Sequence, residues 1–319
     1  MSNPTISLIV LSYNNSQYIR GMLDSIIDQD YREIELVISD DGSKDFSARA
    51  VETYLGRSAP ARFVKTRVNR NPANLGIVKN VEIALKLCSG KYVMTLAADD
   101  ELYSDDTISR LVSEFEKFDD GVGVLVSQSV MCEEDLRVTD RLFTEQRFAE
   151  IINSDDLSLL FSELSLQCFI AAPSVVFRRS SLDAIGTLTD QYTMIEDWPA
   201  YLRLARAGVR FKYSDILSIK HREGGISHGN SNNTFSAYKK YRRDFIALYE
   251  NEIIPYLNLL PQEKAVQAMQ NYYAHKLHYK YVAYENILHA LGIRKVILPP
   301  LRWILHYMTS FLVKHKFIR

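Results

Sequence analysis

Cysteine is scarce in this chain: Cys88, Cys132 and Cys168 are the only three in 319 residues, an odd number set far apart. That excludes a disulfide framework and the paired spacing of a zinc site, and it fits a reducing compartment. Long apolar runs are missing as well. No stretch offers the roughly 18 uninterrupted apolar residues of a membrane-spanning helix. The opening "MSNPTISLIVLSYNN" lacks a basic region ahead of a long apolar core, so a strand is expected there rather than a signal peptide. Neither charge is in excess: 38 Lys and Arg face 39 Asp and Glu, which points away from nucleic acid or an acidic polymer as partner. Repeats and low-complexity tracts are also absent. What remains is a chain with 47% hydrophobic residues, ample for a core, whose specialisation must be local.

Two periodicities alternate over the first 130 residues. "ISLIVL" (6 to 11) is a continuous β-rich apolar run, followed by Tyr18, Ile19, Met22, Leu23, Ile26 and Ile27 at helical spacing. "IELVIS" (34 to 39), "RFVKTRV" (62 to 68) and "YVMTLA" (92 to 97) lead in turn into helices expected over 44 to 56, 76 to 88 and 105 to 118. "GVGVLVSQSV" (121 to 130) is a fifth strand candidate. Short apolar strands joined through amphipathic helices predict an α/β fold with a mainly parallel sheet covered on both faces. Farther on, "MCEEDLRVTDRLF" reads as a polar hairpin or loop and "PSVVFRRSSL" as a strand entering a helix. "IEDWPAYLRLARAG" reads as a helix closed by Gly208. Residues 209 to 220 suggest two short strands, and the Gly, Ser, Asn and His-rich stretch after them has the composition of a lid. From about 235 the chain is helical and Tyr-rich.

Polar clusters fall just past the expected strands, where ligands sit in such sheets. Ser12 to Asn15, Asp40 to Ser43 and Asp99 to Glu101 are the clearest. Each has a plain structural reading. Asp-Gly-Ser is common turn chemistry, and an acidic residue often caps or opens a helix; "SDD" at 104 to 106 is well placed to cap the next one. Adjacent carboxylates at a strand end are also a good site for a hard cation that completes its shell with phosphate and water.

"SLIVLSYNNSQYIRGMLDSIIDQDYREIELVISDDGSKD", then "NPANLGIVKNVEIALKLCSGKYVMTLAADD", then "IEDWPAYLRLARAG" together resemble glycosyltransferase family 2, inverting nucleotide-sugar enzymes of the GT-A fold. The resemblance covers residues 5 to 230. It implies that Leu11, Ser12 and Tyr13 lie beside the nucleotide and that Asp41, supported by Asp40, binds the base through a charge-assisted hydrogen bond. Asn74, Gly76 and Lys79 would lie near the nucleotide and its phosphates. Asp99 would contact the ribose and the metal shell, and Asp100 would ligate Mn2+ or Mg2+ directly. Asp197, with Glu196 beside it, would be the base that takes the proton of the acceptor hydroxyl. In "KHREGGIS" the match is loose, and either His221 or Arg222 would approach the diphosphate. Ala98-Asp99-Asp100 stands where many relatives carry Asp-x-Asp, so one carboxylate of the broader pattern is missing.

The expected organisation is a catalytic GT-A domain over 1 to 230, with a nucleotide-sugar half (1 to 130) and an acceptor half (131 to 230), and a helical C-terminal extension over 231 to 319. Asn286 to Arg319 contains six Lys or Arg and no acidic residue. Its last part, 294 to 319, has the amphipathic pattern of a helix that either lies in a membrane interface or packs on the domain. The expected partners are a nucleotide-sugar donor, with UDP-sugar foremost, and a glycan or lipid-linked acceptor such as bacterial surface polysaccharide uses. A cytoplasmic location, peripheral on the inner membrane face, would suit them. Two rivals stand beside this reading. A sugar-phosphate nucleotidyltransferase would carry a Gly-rich basic loop after the first strand, which "SYNNSQY" lacks, and a noncatalytic glycan- or nucleotide-sugar-binding module would not need Asp100 or Asp197.

Overall fold

A computed structural model describes residues 3–59, 62–183, 185–188, 190–223 and 235–290. Strand β1 (Ile6–Ser12), helix α1 (Ile19–Ile27), β2 (Ile34–Asp40), α2 (Ala48–Ser58), β3 (Lys65–Arg70), α3 (Ile77–Leu87) and β4 (Tyr92–Ala97) follow in strict alternation. β3, β2, β1 and β4 pair in parallel in that order. Side chains of β1 alternate between two cores: Ile6, Leu8 and Val10 pack with α1, while Ile9 packs with Val37, Val93 and Ala84 of α3 on the other face.

The expected helices start and stop with their caps. α2 begins only at Ala48, because Ser47 supplies the cap by accepting from Ala50 N at 3.2 Å. After the two-residue β5 (Glu101–Leu102), helix α4 runs over Thr107–Phe115, shorter than its apolar pattern suggested. Asp106 does not cap it; Gln29 reaches across from the end of α1, and its Oε1 accepts from Ile108 N at 2.9 Å.

In the second half the sheet changes character. β6 (Val122–Cys132) and β7 (Val138–Leu142) form the expected hairpin, and α5 (Gln146–Asn153) and α6 (Leu157–Leu164) follow. A short 3-10 turn leads into β8 (Val175–Arg178), which inserts antiparallel between β4 and β6. α7 (Arg179–Leu182) and α8 (Asp197–Arg206) come next, and Gly208 with φ +82° ends the latter. The two short strands expected over 209 to 220 are one, β9 (Arg210–Arg222), parallel to β6. Its pairing skips register between Tyr213 and Leu217, and this irregularity breaks the alternation on which the division was based. The lid-like stretch over 224 to 234 lies outside the described residues.

α9 (Phe235–Leu248), a π turn and a 3-10 turn through Leu259, and α10 (Gln262–Ala290) complete the described chain. Leu248, Tyr249, Ile253, Met269 and Tyr272 are buried in the same core as Trp198, Tyr201 and Phe161. Glu252, 2% exposed, accepts from Arg203 Nε at 2.8 Å and pairs with Arg206 NH2 at 2.5 Å, tying this region to α8. Among the described residues no helix is long and apolar enough to cross a membrane. The basic segment over 294 to 319 is outside them.

Candidate active site

The parallel strands end together, and their backbones stay paired one residue beyond. Ser12 faces Asp40 and Leu11 faces Ala97 in register. Asp41 N then donates to Ser12 O, Ala98 N to Leu11 O and Asn71 N to Asp40 O, at 2.8 to 2.9 Å. Leu11, Ser12, Tyr13, Asp40, Asp41, Asp99 and Asp100 accordingly share one sheet edge. Tyr13 is exposed there, whereas Ser12 is buried and its hydroxyl donates to Asn15 Oδ1 at 3.0 Å.

Asp40 and Asp41 point to different tasks. Asp40 is fully buried: its carboxylate accepts from Ser43 N at 2.9 Å and from Ser43 Oγ at 2.5 Å, and Ser43 Oγ in turn accepts from Asn14 N at 2.8 Å. That stitches the turns after β1 and β2 together and leaves Asp40 inside. Asp41 accepts from Asn71 Nδ2 at 3.0 Å and from the backbone N–H groups of Leu75 and Gly76, both at 2.9 Å. An ionised carboxylate has about four lone-pair sites, so Asp41 retains capacity for one further donor. Gly42 makes the approach feasible, since a Cβ there would sit 2.5 Å from the Ala73 carbonyl carbon with φ at +79°.

Beneath Asp41 lies a buried amide network that sequence reasoning missed. Asn80 Oδ1 accepts from Ser39 Oγ at 2.7 Å and from Asn71 Nδ2 at 3.0 Å, and Asn69 Nδ2 donates to Ser39 Oγ at 3.0 Å. Its only trace in the sequence is the run of asparagines in "NRNPANLGIVKN". Of the family-implied residues nearby, Asn74 is exposed and accepts from Gly76 N at 3.1 Å. Lys79 lies on the outer side of α3, with Glu82 at 3.9 Å.

β9 brings its end to the second acidic pair. His221 Nδ1 lies 3.0 Å from Asp100 Oδ2, Arg222 N donates to Asp100 Oδ1 at 3.0 Å, and Arg222 Nε donates to Asp99 O at 2.8 Å. The Arg222 guanidinium stacks over the Tyr18 ring at 4.3 Å and bonds Glu134 O. Burial, and then the neighbouring Asp100 charge, push the Asp99 carboxyl above the ordinary range. Burial works against a charged His221, yet the hydrogen bond and charge of Asp100, with Asp99 behind, leave it raised. The Asp100 carboxylate and the His221 imidazole face each other at 3.0 Å, residue types that would suit a divalent cation keeping most of its shell for phosphate and water. No larger set of acidic, His or Cys side chains gathers as a metal cage among the described residues.

Glu196 and Asp197 open α8. Burial raises both carboxyls above their ordinary range; Asp197 adds to the effect on Glu196, and the Trp198 N–H, 2.8 Å from Asp197 Oδ1, pulls Asp197 part of the way back. Both line a mainly apolar cavity of about 110 Å³ with Thr95, Val78, Phe177 and Tyr201. The Tyr201 hydroxyl, four residues along α8 from Asp197, is buried without a hydrogen-bond partner. Trp198 is core: it is 7% exposed, and its Nε1 donates to Leu164 O at 2.7 Å. Burial, and then the Asp197 charge, hold the Cys168 thiol well above the usual range, which disfavours its thiolate.

A sequence model described as Glycosyl transferase family 2 matches residues 7–186. An uncharacterized glycosyltransferase of Haemophilus influenzae is 26% identical over 262 residues, 78% of this chain and 76% of its own length. The PGL/p-HBAD biosynthesis glycosyltransferase of Mycobacterium bovis is 24% identical over 233 residues, 72% of this chain and 81% of its own. Among solved structures, the mannosyltransferase PcManGT from Pyrobaculum calidifontis, in complex with GDP-Man and Mn2+, superposes with a TM-score of 0.58 at 18% identity, covering 99% of this chain and 87% of that one. S. aureus TarS 1–349 in complex with UDP-GlcNAc gives 0.53 at 18% identity, covering 85% and 81%. The architecture is that of the GT-A glycosyltransferases.

Proposed function

This chain belongs to glycosyl transferase family 2, and from that premise we propose that it moves a sugar from a nucleoside-diphosphate sugar to a hydroxyl of a glycan or lipid-linked saccharide, with inversion at the anomeric carbon. UDP-sugar is the expected donor; the solved relatives include one bound to UDP-GlcNAc and one bound to GDP-Man. The base of the nucleotide meets Asp41, whose remaining acceptor capacity suits a pyrimidine imide N–H. Asp197 takes the proton from the acceptor hydroxyl while the acceptor oxygen bonds to the anomeric carbon and the diphosphate oxygen departs. Asp100 and His221 would hold Mn2+ or Mg2+, which when bound supplies positive charge to the leaving diphosphate. Arg222 keeps Asp99 and Asp100 in place through its backbone N–H and guanidinium.

The observation that most supports this reading is the pair of environments for carboxylates. Asp41 accepts from three N–H donors, which fixes its orientation for a donor nucleotide, while Asp197 is half-buried beside an apolar cavity and its carboxyl is raised by desolvation, as suits a proton acceptor. Thermal denaturation with UDP and with GDP, each with and without MnCl2, tests it. Stabilisation by one nucleotide that is larger with manganese is expected, followed by manganese-dependent release of that nucleotide from its sugar conjugate. No shift with either nucleotide under any of these conditions would remove the proposal.

A further inference from the structure

Thr193 and Met194 stand three or four residues ahead of Asp197, and the backbone N–H groups of both converge on one oxygen. That oxygen is Oδ2 of Asp244, 2.7 Å from Thr193 N and 2.5 Å from Met194 N. Asp244 lies on α9, some fifty residues farther along the chain, and is 3% exposed. The next residue, Phe245, meets Trp198 edge-on with ring centroids 5.6 Å apart. α9 therefore grips the chain on both sides of Glu196 and Asp197, through a carboxylate before the pair and a ring after it.

The other side of Thr193 touches the loop that closes on Asp41. Thr193 O accepts from Val78 N at 3.4 Å in the first turn of α3. A Cβ on Gly76 would lie 2.7 Å from Thr193 Cγ2 and 2.8 Å from Thr193 O. Thr193 is wedged between the residue whose N–H binds Asp41 and the helix that carries Asp244. Two N–H groups on a single oxygen fix the direction of consecutive peptide planes, and so the point from which Glu196 and Asp197 extend.

We propose that Asp244 is a positioning residue for the transfer reaction: it fixes the Thr193–Met194 backbone and thereby sets the distance between Asp197 and the nucleotide-side loop. It touches neither donor nor acceptor. The proposal rests on Asp197 being the base, since the alignment it controls is that of Asp197 with the reacting carbon. A displacement of about 1 Å at such a group costs on the order of 100-fold in turnover, and Asp244 acts on that displacement while leaving Asp41 and Asp100 at their strand ends.

The test compares Asp244→Ala, Asp244→Glu and Asp244→Asn with the parent full-length chain. Hydrolysis of UDP-N-acetylglucosamine or GDP-mannose, with water standing in for the acceptor, is followed beside amide hydrogen exchange in the segment 190–197. Asp244→Ala is expected to lose about 100-fold in kcat with donor KM within twofold, and to lose protection at Thr193 and Met194. Asp244→Glu, which keeps a carboxylate but moves it by one methylene, is expected to behave similarly in a folded chain even if the alanine variant unfolds. Asp244→Asn still presents an oxygen and should recover most of both readouts. Unchanged exchange in Asp244→Ala or Asp244→Glu, an equal loss in Asp244→Asn, or a fall in donor affinity in place of kcat would overturn the proposal. Asp197→Asn separates the two ideas: if it retains turnover, the base assignment fails. If it is inactive while Asp244→Ala and Asp244→Glu run at the parent rate, positioning alone fails.

Discussion

Asp197 carries opposite consequences for activity and stability. Its carboxyl is raised by burial, so the folded chain holds a proton there that the unfolded chain has already released. Below the ordinary carboxylate value of about 4 both states are protonated and nothing is lost. As pH rises from there through the raised folded value, the unfolded state binds fewer protons and stability falls. Asp197→Asn removes that penalty, so the variant should melt higher than the parent above neutrality and alike near pH 4. Its turnover should drop about a thousandfold, or about 4 kcal/mol of barrier at about 1.4 kcal/mol per power of ten. The acid limb of the parent's kcat profile should lie above the usual carboxylate range, since only the deprotonated base works. Melting curves and rates over pH 4 to 9 check all three; a variant that is both less active and less stable at pH 8 would show that Asp197 holds the fold and does not strain it.

At the scale of elements, the junction of the 71–76 loop with α3 is where the β1–β4 layer meets the segment ahead of α8. Gly76 has φ +91° and ψ 155°, a backbone region that side chains avoid, and it packs against Thr193. Gly76→Ala should cost about 3 kcal/mol, part from the dihedral and part from pushing Thr193 away, and should weaken nucleotide binding because the Gly76 N–H on Asp41 moves with it. Urea unfolding with nucleotide titration measures both; a loss below about 1 kcal/mol would mean the loop relaxes freely. β1, β2 and β4 were legible as apolar runs buried almost throughout, and the helices between them because they bury an apolar face, as Ile19, Met22, Leu23 and Ile26 do in α1. Asp40–Asp41 and Asp99–Asp100 were legible because they follow apolar runs at strand ends, and Glu196–Asp197 because it opens a helix. Asp244, the Asn69–Asn71–Asn80 network and the Gln29 cap were not. Each acts on a partner distant in sequence, and nothing local distinguishes a polar residue with a buried partner from one facing water. The antiparallel insertion of β8 was hidden for a related reason, since a short apolar strand carries no sign of its direction.

On the scale of the whole molecule, the question is whether residues beyond 230 are an extension or part of the catalytic body. The sequence suggested an extension because its rhythm changes at about 235. In the fold, Leu248, Tyr249, Ile253, Met269 and Tyr272 are buried against Trp198, Tyr201 and Phe161, and Glu252 supplies the anion for Arg203 and Arg206. Removing them forfeits about 2 kcal/mol per large buried side chain, on the order of 10 kcal/mol in all. That is the size of a typical domain's entire stability. It also leaves two guanidiniums, 16% and 13% exposed, without their carboxylate. A chain ending at residue 230 is therefore expected to lack a cooperative melting transition and to bind a hydrophobic dye. One ending at 290, which retains all these contacts, should melt cooperatively. Because Asp244 and Phe245 go with the same truncation, the 290 chain should also keep the exchange protection at Thr193 and Met194. A 230-residue chain that melts cooperatively would show that the second core is dispensable and that the helical region only docks on it.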